Sequence, residues 1–135
     1  MKTSKKKNKL KNAVIILYNN NQFLMVRDRI DKKWMFPGGG ININENPFDC
    51  AKREFYEETK LKLNKFGKIK FEHFIYKEKT IIYYGKTKKY INPKYINTNE
   101  TDKLSFISLS SILKENLKIK SYVIKSFRKL LKELK

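Results

Sequence analysis

The sequence predicts one mixed α/β domain, and three observations carry that expectation. The chain has 135 residues, enough for one core and not for two. Its composition is 40% apolar with nine Phe and eight Tyr, which is the makeup of a folding chain rather than a disordered one. Its apolar runs follow the order strands, helix, strands, helix, with no internal repeat.

Residues 1–12 read as a basic, flexible arm, and residues 13–135 as the domain. Ala13–Tyr18 and Gln22–Arg27 are apolar runs separated by Asn19-Asn20-Asn21. Asparagine tolerates the left-handed backbone of a tight turn, so the pair predicts a β-hairpin. Trp34-Met35-Phe36 leads into Pro37-Gly38-Gly39-Gly40, a loop where backbone must approach something closely. Residues 47–60 predict a helix, with Asn46 as N-cap, Pro47 at the first position and Asp49 near the positive dipole end. Phe48, Ala51 and Phe55 then share an arc of roughly 60° that can face a core. Ile69–Lys77 and Thr80–Thr87 predict a second strand pair around a turn at Glu78. Residues 88–103 read as an Asn-rich loop and Leu104–Leu109 as a short strand, after which Ser110 or Ser111 caps a short helical turn. Residues 119–134 carry Ile119, Val123, Phe127, Leu130, Leu131 and Leu134 at helical spacing.

Composition narrows the chemistry. No apolar run approaches the roughly 18 residues of a membrane span, and no signal-peptide pattern follows the basic start, so the expectation is a cytoplasmic protein without membrane contact. One cysteine, Cys50, and one histidine, His73, exclude an intramolecular disulfide and any cysteine- or histidine-rich metal site. A metal here must have oxygen ligands, which points to a hard cation such as Mg²⁺ or Mn²⁺. The net charge of +19 fits a polyanionic partner, RNA included. It equally fits an unselected bias, because 28 lysines stand against four arginines and nucleic-acid readers favour arginine.

The informative stretch is Gly39-x5-Glu45-x7-Arg53-Glu54-Phe55-Tyr56-Glu57-Glu58-Thr59-Lys60-Leu61. Glu54, Glu57 and Glu58 fall within about 100° of one helix face. Carboxylates that close repel one another unless a cation sits among them, and their arc lies beside the apolar stripe, where a cleft can form. Water, carboxylates and substrate phosphates are the ligands Mg²⁺ prefers. A lone Glu-Glu pair would signify only a solvated surface. Six identities at fixed spacing arise by chance in only ~10⁻⁶ to 10⁻⁵ of chains of this composition.

The stretch resembles the Nudix box, G-x5-E-x7-R-E-U-x-E-E-x-G-U with U a bulky apolar residue, and Trp34 to Gly39 resembles the lead-in of MutT-like members. The resemblance implies an α/β/α sandwich with a mixed central sheet. It also implies Mg²⁺- or Mn²⁺-dependent hydrolysis of a pyrophosphate linkage in a nucleotide. By position, it makes Glu54, Glu57, Glu58 and the carbonyl of Gly38 metal ligands. Arg53 and Glu45 become the pair that ties helix to loop. Glu100, six residues before Phe106, matches a further metal-binding or base glutamate, so Glu54, Glu57 and Glu100 are the candidates for catalysis. Two positions depart from the pattern: Lys60 replaces the penultimate glycine, and Asn44 stands where many members have glycine.

Substrate signals are thinner. Arg27 resembles a nucleotide-contacting arginine of MutT-like members, and Trp34, Phe74 and Tyr83 are aromatics that can stack on a base, although aromatics on strands more often belong to the core. Members that read oxidised guanine have an asparagine where this chain has Lys120; Asn116 is out of register. The proline of ADP-ribose-cleaving members is replaced by Tyr76, which lies near, but not on, a tyrosine of dinucleoside polyphosphate hydrolases. The expectation is a nucleotide-pool enzyme cleaving free (d)NTPs, as monomer or homodimer. RNA 5′ ends or dinucleoside polyphosphates are the alternative substrates, and a catalytically inactive nucleotide- or RNA-binding module is the alternative class, against which the intact glutamates argue.

Overall fold

The computed structural model describes residues 9–114 and 117–134. Eight strands form one sheet: β1 (Asn12–Asn19), β2 (Gln22–Asp28), β3 (Trp34–Met35), β4 (Gly38–Gly40), β5 (Glu72–Tyr76), β6 (Thr80–Lys86), β7 (Lys94–Tyr95) and β8 (Thr101–Ser108). Among the described residues, three α-helices accompany the sheet: α1 (Pro47–Thr59), α2 (Leu109–Lys114) and α3 (Ser121–Glu133). The strand order is β5-β6-β1-β2-β8-β7. β1 and β6 are parallel and the other pairs antiparallel, so the sheet is mixed.

The hairpin closes at Asn20, whose φ is 57°. Its strands stay paired only next to the turn, Tyr18 opposite Phe23 and Asn19 opposite Gln22, and then splay. Into the gap enters the Trp34–Gly40 segment. β3 pairs with β2, Pro37 accepts from the Ile15 amide at 2.9 Å, and β4 pairs with β1. This wedge brings the glycine loop into the centre of the sheet.

Helices cover both faces. Adjacent residues of a strand point to opposite sides. On β6, Tyr83 meets Phe48 of α1 (centroids 4.9 Å apart), while Tyr84 meets Phe74, over whose ring lies Lys129 of α3. Two covered faces explain why Ile15, Ile16 and Leu17, and Phe23 through Val26, are buried without alternation. The expected α/β/α sandwich is therefore the architecture of the chain.

Several boundaries differ from expectation. Lys11 and Asn12 both donate to the Lys79 carbonyl, so the arm expected over 1–12 joins the sheet before its end; residues 1–8 lie outside the described residues. β5 begins at Glu72 rather than at Ile69. β8 begins at Thr101, three residues early, because Thr101 is fully buried and Asp102 pairs with Arg27 of β2, neither of which an apolar pattern reveals. The Asn-rich loop contains the short β7, and a 3-10 turn, Leu63–Phe66, follows α1. The amide of Ser111 is capped by Ser108, not by Ser110 or Ser111. Among the described residues, no helix is long and apolar enough to cross a membrane.

Candidate active site

α1 starts and stops where its local chemistry dictates. The Asn46 side chain accepts from the Phe48 amide at 2.8 Å, Pro47 occupies the first turn, and Lys60 ends the helix at φ 65°, ψ 15°. Ala51 and Phe55 anchor one stripe in the core, and Phe55 packs edge-on against Phe66. That anchoring turns Glu54 and Glu58 toward the glycine loop.

Gly39 has no room for a side chain: a Cβ there would lie 2.4 Å from the Glu54 carboxyl carbon. The Gly38 amide donates to Glu58 Oε1 at 3.1 Å. Glu100 arrives from the residue preceding β8. Carboxylate oxygens of Glu54, Glu58 and Glu100 lie within 4.8 Å of one another. Glu54 and Glu58 are only 9% and 2% exposed, whereas Glu100 is open to solvent. Burial, reinforced by Glu100 and Glu54, pushes the Glu58 carboxyl up to about 9 despite the Gly38 amide. Glu54 is raised by burial and by Glu57, against the pull of Arg53.

Arg53 holds the surroundings in place. It forms a two-pronged pair with Glu45, Nε to Oε2 at 2.8 Å and Nη2 to Oε1 at 3.0 Å, and donates to the Gly40 carbonyl at 3.0 Å. Its remaining nitrogen, Nη1, reaches Glu54 at 3.0 Å and Glu57 at 3.3 Å. Glu45 is held down to about 2 by Arg53 and by the Asn42 amide. Glu57 is half-exposed on this Arg53 side and stands outside the three-carboxylate cluster, whose third member comes from far along the chain.

An acidic cluster of this kind, all oxygen donors and two of its members nearly buried, fits a hard divalent cation. Its charge would offset the repulsion and burial that raise Glu54 and Glu58.

Of the two roles open to Trp34, Phe74 and Tyr83, the structure favours packing. Trp34 is buried, its amide donating to the Lys118 carbonyl and its carbonyl accepting from Lys120. Phe74 is buried under Lys129, and Tyr83 packs on Phe48. Next to Gly38 and Gly39 lies instead a cavity of 340 Å³ lined by Phe36, Tyr76, Tyr122 and Ile82. Tyr122 is 45% exposed as a residue, yet the surroundings of its hydroxyl raise it, with Glu58 and Asp28 adding to the rise against Lys120. Phe36 stood in plain view beside the glycines, but nothing local marks Tyr122, which α3 delivers across the fold. Arg27 is engaged by Asp102 at 2.9 and 3.0 Å, and Lys32 pairs with the same carboxylate. Lys120 is bound to Asp28 at 2.8 Å. Asn116 lies outside the described residues.

A family model described as the NUDIX domain matches residues 8–127. The chain belongs to the Nudix family. It is 57% identical over 30 residues to the RNA pyrophosphohydrolase of Bartonella bacilliformis, a match spanning 22% of this chain and 18% of that protein. The crystal structure of the MutT protein from Methanosarcina mazei is similar over 98% of this chain and 99% of that one, at 25% identity and a TM-score of 0.65. The C. elegans Ap4A hydrolase shares the fold over 92% of this chain and 98% of that one, at 19% identity and a TM-score of 0.64.

Proposed function

We propose that this Nudix domain hydrolyses a pyrophosphate linkage of a nucleoside polyphosphate, with free (d)NTPs as leading substrates and Mg²⁺ or Mn²⁺ as cofactor. One observation carries the reading: a three-carboxylate cluster shares the Gly38-Gly39 backbone with a cavity of 340 Å³ walled by aromatic rings. That cavity has room for one base, with the phosphates reaching across the glycines to the glutamates. Glu54, Glu58 and Glu100 would hold the cation, with Glu57, on turning from Arg53, and the Gly38 carbonyl as further donors. When bound, the cation neutralises phosphate oxygens and lowers the pKa of a water. Glu100, the solvent-open member of the cluster, accepts the proton of the attacking water. Glu54, which Arg53 touches, keeps its orientation through the fork of Arg53 to Glu45. Arg27 stays in the proposal as a nucleotide contact through the donors that Asp102 leaves unused.

RNA 5′ ends are the second reading, favoured by the Bartonella relative's name and by the charge of +19. The experiment that tests both is a panel of (d)NTPs, dinucleoside polyphosphates, ADP-ribose and triphosphorylated RNA, with phosphate and pyrophosphate detection in Mg²⁺. The expected result is cleavage of free nucleotides, abolished by EDTA. Full turnover in excess EDTA would refute the all-carboxylate site.

A further inference from the structure

Glu100 poses a mechanical problem. It is exposed, it extends from a turn, and it must meet Glu54 and Glu58, which belong to a helix far away along the chain. A contact with Glu58 orders the side chain only, so the backbone of the turn needs anchors of its own. We propose that Arg29 and Thr101 are positioning residues that lock the 97–101 turn and thereby aim Glu100 into the cluster; the proposal rests on the role assigned to Glu100 above.

Arg29 extends from the end of β2 and grips the turn at four points. Its amide donates to the Glu100 carbonyl at 2.8 Å, and its Nε to the Thr98 carbonyl at 2.9 Å. Its Nη2 donates to Asn97 Oδ1 at 2.7 Å and to the Thr101 carbonyl at 3.3 Å. A planar guanidinium can span such acceptors with fixed geometry, which a lysine cannot.

Thr101 joins the turn to α1. Its hydroxyl donates to the Glu58 carbonyl at 2.6 Å. That carbonyl belongs to the last turn of the helix, where acceptors have no partner within the helix. A hydroxyl has one proton, and Thr101 spends it on Glu58. The 2.6 Å contact with Thr98 Oγ1 therefore has Thr98 as donor. Thr98 Oγ1 in turn accepts from the amides of Glu100 at 3.2 Å and Thr101 at 2.8 Å. The backbone of Glu100 is thus connected to the backbone of Glu58 through two hydroxyls, both shielded from solvent in part or in full. The spacing between the two acids is set by neutral groups, independent of whether the acids are charged.

The test uses Mn²⁺ binding to the full chain, followed by the resonance of free Mn²⁺ or by calorimetry, alongside kcat and KM on the nucleotide the panel identifies. Thr101→Val keeps the shape and removes the hydroxyl; Arg29→Ala removes the grip. Each is expected to weaken Mn²⁺ binding about tenfold and to lower kcat with little change in KM. Thr101→Ser should restore both. Adding either change to Glu100→Gln should cost nothing further, because all three act through one carboxylate. If Glu100→Gln weakens Mn²⁺ binding while Thr101→Val and Arg29→Ala leave it within twofold, the positioning role is overturned and the Glu100 assignment survives. If Glu100→Gln alters neither binding nor kcat, the Glu100 assignment itself falls, and the positioning role with it.

Discussion

Glu58 is the residue in which burial and function conflict most. Unfolded, its carboxyl ionises near its ordinary 4.5; folded and without metal, burial holds it protonated up to about 9. A carboxyl raised on folding contributes stability below its unfolded pKa and loses it as pH climbs toward the folded one. The metal-free protein should therefore lose stability between pH 5 and 9 relative to Glu58→Gln, whose side chain stays neutral. Melting curves of both proteins across that window measure the effect, and parallel curves would contradict it. On the proposed reading a bound Mg²⁺ would replace the proton, so the gain in Tm from Mg²⁺ should grow over the same interval. Glu58→Gln and Glu57→Gln should each cut kcat at least ~10²-fold with the fold intact, since each removes charge and leaves the packing of Ala51 and Phe55 alone. Either variant at near-wild-type rates in saturating Mg²⁺ would remove that residue from the site.

At the scale of elements, α1 shows what a sequence reveals locally. Its cap, proline and apolar stripe all lie within fourteen residues of one another, and each acts on its own neighbours. The turn between β5 and β6 is local too, with Lys77 and Glu78 at φ 51° and 67°. The elements that escaped are those whose partners are distant. β8 starts at polar residues because Thr101 reaches Glu58 and Asp102 reaches Arg27, and the Trp34–Gly40 wedge exists only because β1 and β2 part. Lys60 offers a local test. The box pattern has glycine there, and Lys60 adopts the left-handed conformation that glycine would, with its amide bonded to the Tyr56 carbonyl at 2.8 Å. That conformation costs a side chain about 1 kcal/mol, offset in part by the greater freedom of an unfolded glycine. Lys60→Gly should raise Tm by up to ~4 °C or leave it unchanged. A clear fall would show that the lysine side chain stabilises the helix end by a contact of its own.

For the whole molecule, the open matter is what the charge of +19 serves. The same number suits an RNA partner and a lysine-rich background, and neither the sheet nor the glutamates distinguish them. Glu100 shows the same limit: its meeting with Glu58, 42 residues away, was legible through resemblance to the family and not through any local pattern. Salt separates the two readings of the charge. A single strand tracked by three further lysines should lose about tenfold or more in affinity between roughly 50 and 200 mM salt. A free nucleotide, engaged mainly through a cation and the glutamates, should change by less than about threefold. Residues 2–8 carry four lysines, and their removal stops short of Lys11, whose amide is part of the sheet edge. Deleting them is expected to leave the hydrolysis of small nucleotides, and its weak salt dependence, unchanged. Both substrates, measured with and without those residues at two salt concentrations, decide the matter. Efficient release of pyrophosphate from triphosphorylated RNA that depends on residues 2–8 and falls steeply with salt, beside little action on free NTPs, would make the RNA 5′ end the substrate and the lysines its track.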